Sequence, residues 1–186
     1  MYKRQGYRVT VARDDQPTAA PPRPVPATEP LLGVPEGGPL VLFTHLARTA
    51  LYLEALQDEC LAPSGISFGD YSVLRVLRNI GPPHRLPPSR LAEVVLRTTG
   101  GMTKIVDRLE RAGLVERERD PVDRRGVLVR LTRRGAAVSD RASEAYTVGR
   151  ARILARLDPD EVDELDTAIA RLLQVFQTDH DDREAP

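Results

Sequence analysis

A mainly α fold is predicted for this chain: two short helices joined by a tight turn, a two-stranded β wing behind them, and long helices on either side. Three observations predict it. Apolar residues recur at helical spacing through most of residues 39–178, and two of the helical runs, near residues 87–96 and 99–112, are separated only by a short turn. Beyond them, residues 114–118 and 127–131 read as strands flanking a connection that contains Pro121 and Gly126.

The elements follow in order. Residues 1–38 have no helical or strand periodicity and are punctuated by Pro17, Pro21, Pro22, Pro24, Pro26, Pro30 and Pro35, so a disordered proline-rich tail is expected. Its first five residues, MYKRQ, resemble the translation of a transposon adapter from sequencing libraries and are set aside from the fold reading. Pro39 suits a first helical position, and Leu42, Leu46, Ala50, Leu53 and Leu56 or Gln57 continue a helix over 39–61 until Pro63 and Gly65. Ser67 caps a short helix over 67–79, with Asp70 three residues on and Tyr71, Leu74 and Leu77 along one face. Pro87, Pro88 and Ser89 open the next helix, which carries Leu91, Ala92, Val95 and Leu96. Residues 97–99 make a turn, and Thr98 or Thr99 caps a helix bearing Met102, Ile105, Leu109 and Ala112. Gly113 ends that helix, and in the second strand Val127, Val129 and Leu131 are expected on one face.

Thr132 caps a long helix to about residue 157. Asp158, Pro159, Asp160 and Glu161 combine a capping carboxylate, a first-position proline and acids at the positive end of the helix dipole. The final helix carries Val162, Leu165, Ile169, Leu172 and Phe176 on one stripe, and residues 179–186 are expected to be a disordered acidic tail.

With 186 residues, 41% of them hydrophobic, the chain holds one domain of ordinary size with a real core. No stretch approaches the roughly 20 apolar residues needed to cross a bilayer and no secretory signal is present, so a cytoplasmic protein without membrane partners is expected. Cys60 is the one cysteine, which excludes an intrachain disulfide and a thiolate zinc cluster; no metal or cofactor is expected. His45, His84 and His180 stand without the context of a nucleophile, metal or phosphate site, so the sequence offers nothing for catalysis.

Net charge is zero, from 27 basic and 27 acidic residues, but its distribution is polar. Residues 97–134 carry eleven bases against six acids, a local charge of +5, while acids crowd the C-terminal end. A helix is thin enough to enter the major groove, and cations beside it meet phosphates. The exposed positions of the helix over 99–112 are Thr99, Thr103, Lys104, Asp107, Arg108 and Arg111. Short hydroxyls near its start suit base edges, and Lys104 and Arg108 suit bases or phosphates. Arg97 and Thr98 lie at its entry. Gly100 and Gly101 cost about 1 kcal/mol each in a first turn, which is consistent either with close backbone approach to phosphate or with simple helix packing. At the hairpin tip, Asp123, Arg124 and Arg125 follow Pro121 on a protruding turn from which an arginine reaches a minor groove.

Four segments in order, VDRLE at 106–110, GLVER at 113–117, DRR at 123–125 and LTRRG at 131–135, resemble the MarR (multiple antibiotic resistance regulator) family over about residues 39–178. That resemblance implies a winged helix-turn-helix, with a DNA-binding lobe over about 67–131 and dimerisation helices over about 39–61 and 132–178. It implies a homodimeric transcription regulator, acting as a ligand-responsive repressor on double-stranded DNA with a pseudo-palindromic operator. It also implies that Asp123 braces a nearby arginine, that Arg125 enters the minor groove and that Arg117 braces the wing or meets a phosphate. The proline-rich tail is a departure from the family, and the Gly100 and Gly101 pair occurs only in some members.

Many members of that family answer to small aromatic or phenolic ligands, and His45, Tyr52, Phe68, Tyr71 and Arg75 lie on the helices that would line such a cleft. The competing reading makes Phe68 and Tyr71 core residues and His45 a surface or hydrogen-bonded histidine. Some members of that family sense oxidants through a cysteine; against that role for Cys60, Asp58 and Glu59 oppose a thiolate, which favours a buried, inert thiol. The rival for the whole chain is a winged-helix protein-interaction module, which would lack the basic face that Lys104, Arg108, Arg124 and Arg125 supply.

Overall fold

The computed structural model describes residues 39–184 apart from Val122, Arg124 and Arg125. The proline-rich tail expected over 1–38 lies outside the described residues, as do Ala185 and Pro186 of the expected acidic tail.

Local capping chemistry sets most of the boundaries. Helix α1, Pro39–Leu61, begins at the expected proline and leads into a 3-10 turn, Ala62–Ser64, closed by Gly65 in the left-handed region at φ +65°. Helix α2, Phe68–Asn79, starts with a reciprocal box: Asp70 N–H donates to Ser67 Oγ at 3.2 Å, and Ser67 N–H donates to Asp70 Oδ2 at 3.0 Å. Helices α3, Pro88–Val94, and α4, Thr99–Arg111, form the helix-turn-helix. Helix α5, Arg133–Leu154, is capped by Thr132 and ends slightly before the residue expected. Helix α6, Pro159–Glu184, is opened by a second box, with Asp158 N–H donating to Glu161 Oε2 at 2.9 Å and Glu161 N–H to Asp158 Oδ1 at 2.8 Å. It continues to Glu184, so residues 179–184 are helical where a disordered tail was expected.

The wing differs from the two-stranded expectation. Strands β1 (Arg85–Leu86), β2 (Val115–Arg119) and β3 (Val127–Leu131) form an antiparallel sheet in the order β1-β3-β2. Arg85 stands opposite Arg130, and Leu86 opposite Val129. Two residues are too few to show an alternation, and their partner is distant in sequence, so β1 leaves no local trace. Val127, expected to share a buried face with Val129 and Leu131, is 42% exposed because it pairs with Arg119 at the outer end of the hairpin, beyond the cover of the core.

The main core joins Val73, Leu74 and Leu77 of α2 to Leu91 of α3, to Met102, Ile105, Val106 and Leu109 of α4, and to Val115, Val129 and Leu131 of the sheet. A second cluster gathers Cys60, Leu61, Tyr71, Ala142 and Tyr146 where the end of α1 meets α2 and α5. Two glycines permit these contacts. A Cβ on Gly135 would sit far inside the van der Waals radius of the Leu114 carbonyl oxygen, and one on Gly149 would collide with Cys60 Sγ. Thr132 completes the first of these joints: its hydroxyl lies 2.9 Å from Gly113 O and 3.1 Å from Leu114 O, and it accepts from Gly135 N–H at 2.9 Å. The LTRRG segment is thus the seat of α5 on the turn between α4 and β2.

Candidate nucleic-acid interface

Helix α4 is two-faced. Met102, Ile105, Val106 and Leu109 are buried, whereas Thr99, Gly100, Thr103, Lys104 and Arg111 are exposed. Thr98, extended at φ −65° and ψ 155°, caps the helix by accepting from Gly101 N–H at 3.2 Å. The glycine pair divides here. A Cβ on Gly101 would lie 3.2 Å from Thr98 Oγ1, so its absence serves the cap, while Gly100 faces open space. Thr103 donates its hydroxyl hydrogen to Thr99 O at 3.0 Å and keeps its lone pairs for another donor.

Arg108 departs from the sequence expectation of a cation held ready for bases or phosphates. Its Nε donates to Asp70 Oδ1 and Oδ2 at 2.9 and 3.1 Å, and its Nη2 donates to Asp70 Oδ1 at 2.7 Å. The Asp70 side chain is 5% exposed and also accepts from Ser67, so the pair fixes α4 to the N-terminus of α2. A bidentate Arg–carboxylate pair with one partner buried holds its geometry better than an exposed one. The capping role of Asp70 was legible; its second role, to a residue on another helix, was not.

Arg117 is likewise committed. Its guanidinium bonds Asp107 Oδ1 at 2.6 Å and pairs with Glu110, whose Oε1 also accepts Arg117 N–H at 3.1 Å. These contacts tie β2 to α4. Partial burial lowers the Arg117 pKa, and the bonds to Asp107 and Glu110 outweigh it and raise the net value. One face of the sheet carries a further set: Glu118 bridges Arg85 at 2.5 Å and Arg130 at 3.0 Å, and Arg130 also pairs with Glu116. The hydrogen bond from Arg85 lowers the Glu118 pKa; burial opposes it, and the charges of Arg85 and Arg130 add to the fall.

The hairpin tip closes through Asp120 N–H to Gly126 O at 3.0 Å and Gly126 N–H to Asp123 O at 2.8 Å. Asp123 is exposed there, and the neighbouring Arg124 and Arg125 lie outside the described residues.

The turn into α4 holds a feature with no sequence signal. Arg97 N–H donates to Ala92 O at 2.9 Å and Leu96 N–H to Glu93 O at 3.2 Å, the paired bonds of a Schellman helix end. Leu96, expected within the helix alongside Leu91, Ala92 and Val95, instead lies beyond its last residue, Val94, and takes the left-handed position usually given to glycine, at φ +52°, at a cost of about 1 kcal/mol. Arg97, Thr98 and Thr99 follow it, all exposed.

The residues considered for a ligand cleft part company. Phe68 and Tyr71 come together with Tyr146, to which the sequence assigns no role, with ring centroids 5.8 to 6.1 Å apart. Tyr71 is core, its hydroxyl 3.2 Å from Ser143 Oγ; Gln57 donates to Tyr146 Oη at 3.4 Å, and Arg150 lies over the Tyr146 ring at 4.6 Å. Tyr52 is 51% exposed and outside this cluster, Arg75 is half-buried, and His45 is exposed on the first turns of α1. Cys60 is buried; burial pushes its thiol pKa up, Glu59 adds to the rise, and Arg152 and Arg150 oppose it.

A family model described as MarR family matches residues 64–126, from the turn before α2 to the hairpin tip, just short of β3. The multiple antibiotic resistance protein MarR of Escherichia coli is 32% identical over 121 residues, which span 64% of this chain and 82% of that protein. The chain belongs to the MarR family. It is a winged helix-turn-helix transcription regulator, and its solved MarR relatives share the fold over most of their length. AbsC, a MarR family transcriptional regulator from Streptomyces coelicolor, superposes with a TM-score of 0.68 at 25% identity, covering 78% of this chain and 97% of AbsC. A mutant MarR from Escherichia coli, solved in complex with operator DNA, gives 0.64 at 29% identity and covers 72% of this chain and 95% of its own. Among the described residues no helix is long and apolar enough to cross a membrane.

Proposed function

We propose that this MarR family protein is a cytoplasmic homodimer that binds a pseudo-palindromic duplex operator through α4 and the wing, and acts as a repressor released by a small aromatic or phenolic effector. The observation that carries the reading is the face of α4: four buried apolar side chains hold it in the lobe, and Thr99, Thr103, Lys104 and Arg111 point away from the core. Arg97, Thr98, Gly100 and Gly101 form its leading edge, Asp123 lies at the wing tip with Arg124 and Arg125 next to it in sequence, and Arg108 and Arg117 set the angle of the helix through Asp70, Asp107 and Glu110. Operator binding by the mutant Escherichia coli MarR supports the assignment.

The homodimer is supported by apolar side chains left open on the long helices, among them Leu51 at 66%, Val148 at 65%, Ile169 at 57% and Val175 at 64%. Two copies related by a two-fold axis present two copies of α4, which is why the operator is expected to be pseudo-palindromic. For the effector, Phe68 is the half-buried edge of an aromatic cluster whose other rings, Tyr71 and Tyr146, are core, so an aromatic effector is expected against Phe68.

The test is a salt titration of binding to duplexes recovered from the genome with the purified protein. Lys104→Ala and Arg125→Ala are each expected to weaken binding by about 1 to 3 kcal/mol and to reduce the salt slope by about one. Unchanged affinity and slope in both variants would reject the interface, and recovery of no enriched sequence would favour a protein-interaction module.

A further inference from the structure

Leu96 has the most exposed large apolar side chain among the described residues, at 86%, and it holds a left-handed backbone conformation that glycine would adopt without strain. Neither its exposure nor its strain contributes to packing: the two hydrogen bonds of the helix end are backbone bonds that any residue but proline supplies. Its position supplies the meaning. It stands two residues before the Thr98 cap of α4, followed by exposed Arg97, Thr98, Thr99 and Gly100. A recognition helix that leads with its N-terminus carries the residues just ahead of its cap to the rim of the major groove. The thymine C5-methyl is the apolar group on that surface.

We infer that Leu96 is a specificity-determining residue that packs against a thymine methyl at the edge of each half-site. The inference rests on the DNA-binding reading above and adds a base preference to it. The basic and hydroxyl-bearing neighbours favour DNA over a protein as the occupant, although exposed Val94 at 54% lies close by in sequence.

The experiment uses the full chain, wild type and Leu96→Gly. Glycine removes the side chain and the strain together, so the variant is expected to unfold at the same temperature or higher. Each protein selects duplexes from a random library, and single thymines in the selected site are then replaced by deoxyuridine, which lacks only the methyl. At one thymine per half-site the replacement should weaken wild-type binding about fourfold, the equivalent of one buried methyl, and leave Leu96→Gly unaffected. Selection of one common sequence by both proteins, with equal sensitivity to every deoxyuridine, overturns the inference while leaving the DNA-binding reading intact. A wild type that selects no sequence overturns both. Equal binding of all duplexes by the two proteins, joined to loss of a captured protein partner in Leu96→Gly, would assign the side chain to a protein surface and also overturn the inference.

Discussion

The winged lobe and helix α6 use apolar residues in opposite ways. In the lobe, α2, α3, α4 and the sheet close around Val73, Leu74, Leu77, Leu91, Met102, Val106 and Val129, each no more than 1% exposed. Helix α6, 26 residues long, buries no described side chain: Val162 and Leu172 are half-buried, while Leu165, Ile169, Leu173, Val175 and Phe176 are open. Both regions show the same helical spacing in sequence. Periodicity therefore reports that a helix has an apolar side, and says nothing of whether its own chain covers that side.

The sharpest way to break the lobe is to fill the joint between α5 and the turn after α4. Gly135→Ala forces a Cβ onto a backbone oxygen that no rotamer change can move, and should cost about 3 kcal/mol in chemical denaturation. Gly100→Ala, in open space on the same lobe, should be neutral or stabilising by up to about 1 kcal/mol. Next in size is a matched pair of truncations. Leu74→Ala should cost about 3 kcal/mol from the closed core, whereas Ile169→Ala should change the unfolding of the isolated chain by less than about 0.5 kcal/mol while weakening self-association in sedimentation. Equal losses in the two unfolding experiments would refute the contrast.

Asp70→Asn tests the link between α2 and α4. Removing a nearly buried carboxylate from Arg108 should destabilise the fold by about 2 kcal/mol, less than a fully buried pair because Arg108 is half open. It should also lower operator affinity more than that loss of folded protein explains. The smallest effect is a pH dependence in the wing. The Glu118 pKa is lowered on folding, so its contribution is present above the ordinary carboxylate value of 4.5 and is lost as pH falls through the lower folded value. Glu118→Gln should flatten that acid limb by about 0.5 kcal/mol in unfolding experiments run between neutral and acid pH.

What the sequence made legible was local. Ser67 with Asp70, Thr98, Thr132, and Asp158 with Glu161 each cap a helix within three residues, and each of those starts stands where the residues indicated. What it hid was held by distant partners. Strand β1 exists because β3 is there to pair with it, Arg108 turns inward because Asp70 is on another helix, and Tyr146 joins Phe68 and Tyr71 only when α5 packs on α2. Leu96 was hidden for another reason: leucine gives no hint of a left-handed residue, so only the backbone reveals it.

The seat of α5 has a mechanical consequence. Where helices meet through side chains, a small displacement is absorbed by rotamers, and the two elements drift independently. At Gly135 the first turn of α5 rests on the peptide group of Leu114 with no side chain between them, and Thr132 holds both ends of the contact. Such a joint has no slack. Tilting α5 must drag the end of α4 and the root of the wing along with it, so the long helix serves the recognition surface as a lever whose fulcrum is a single hydrogen atom.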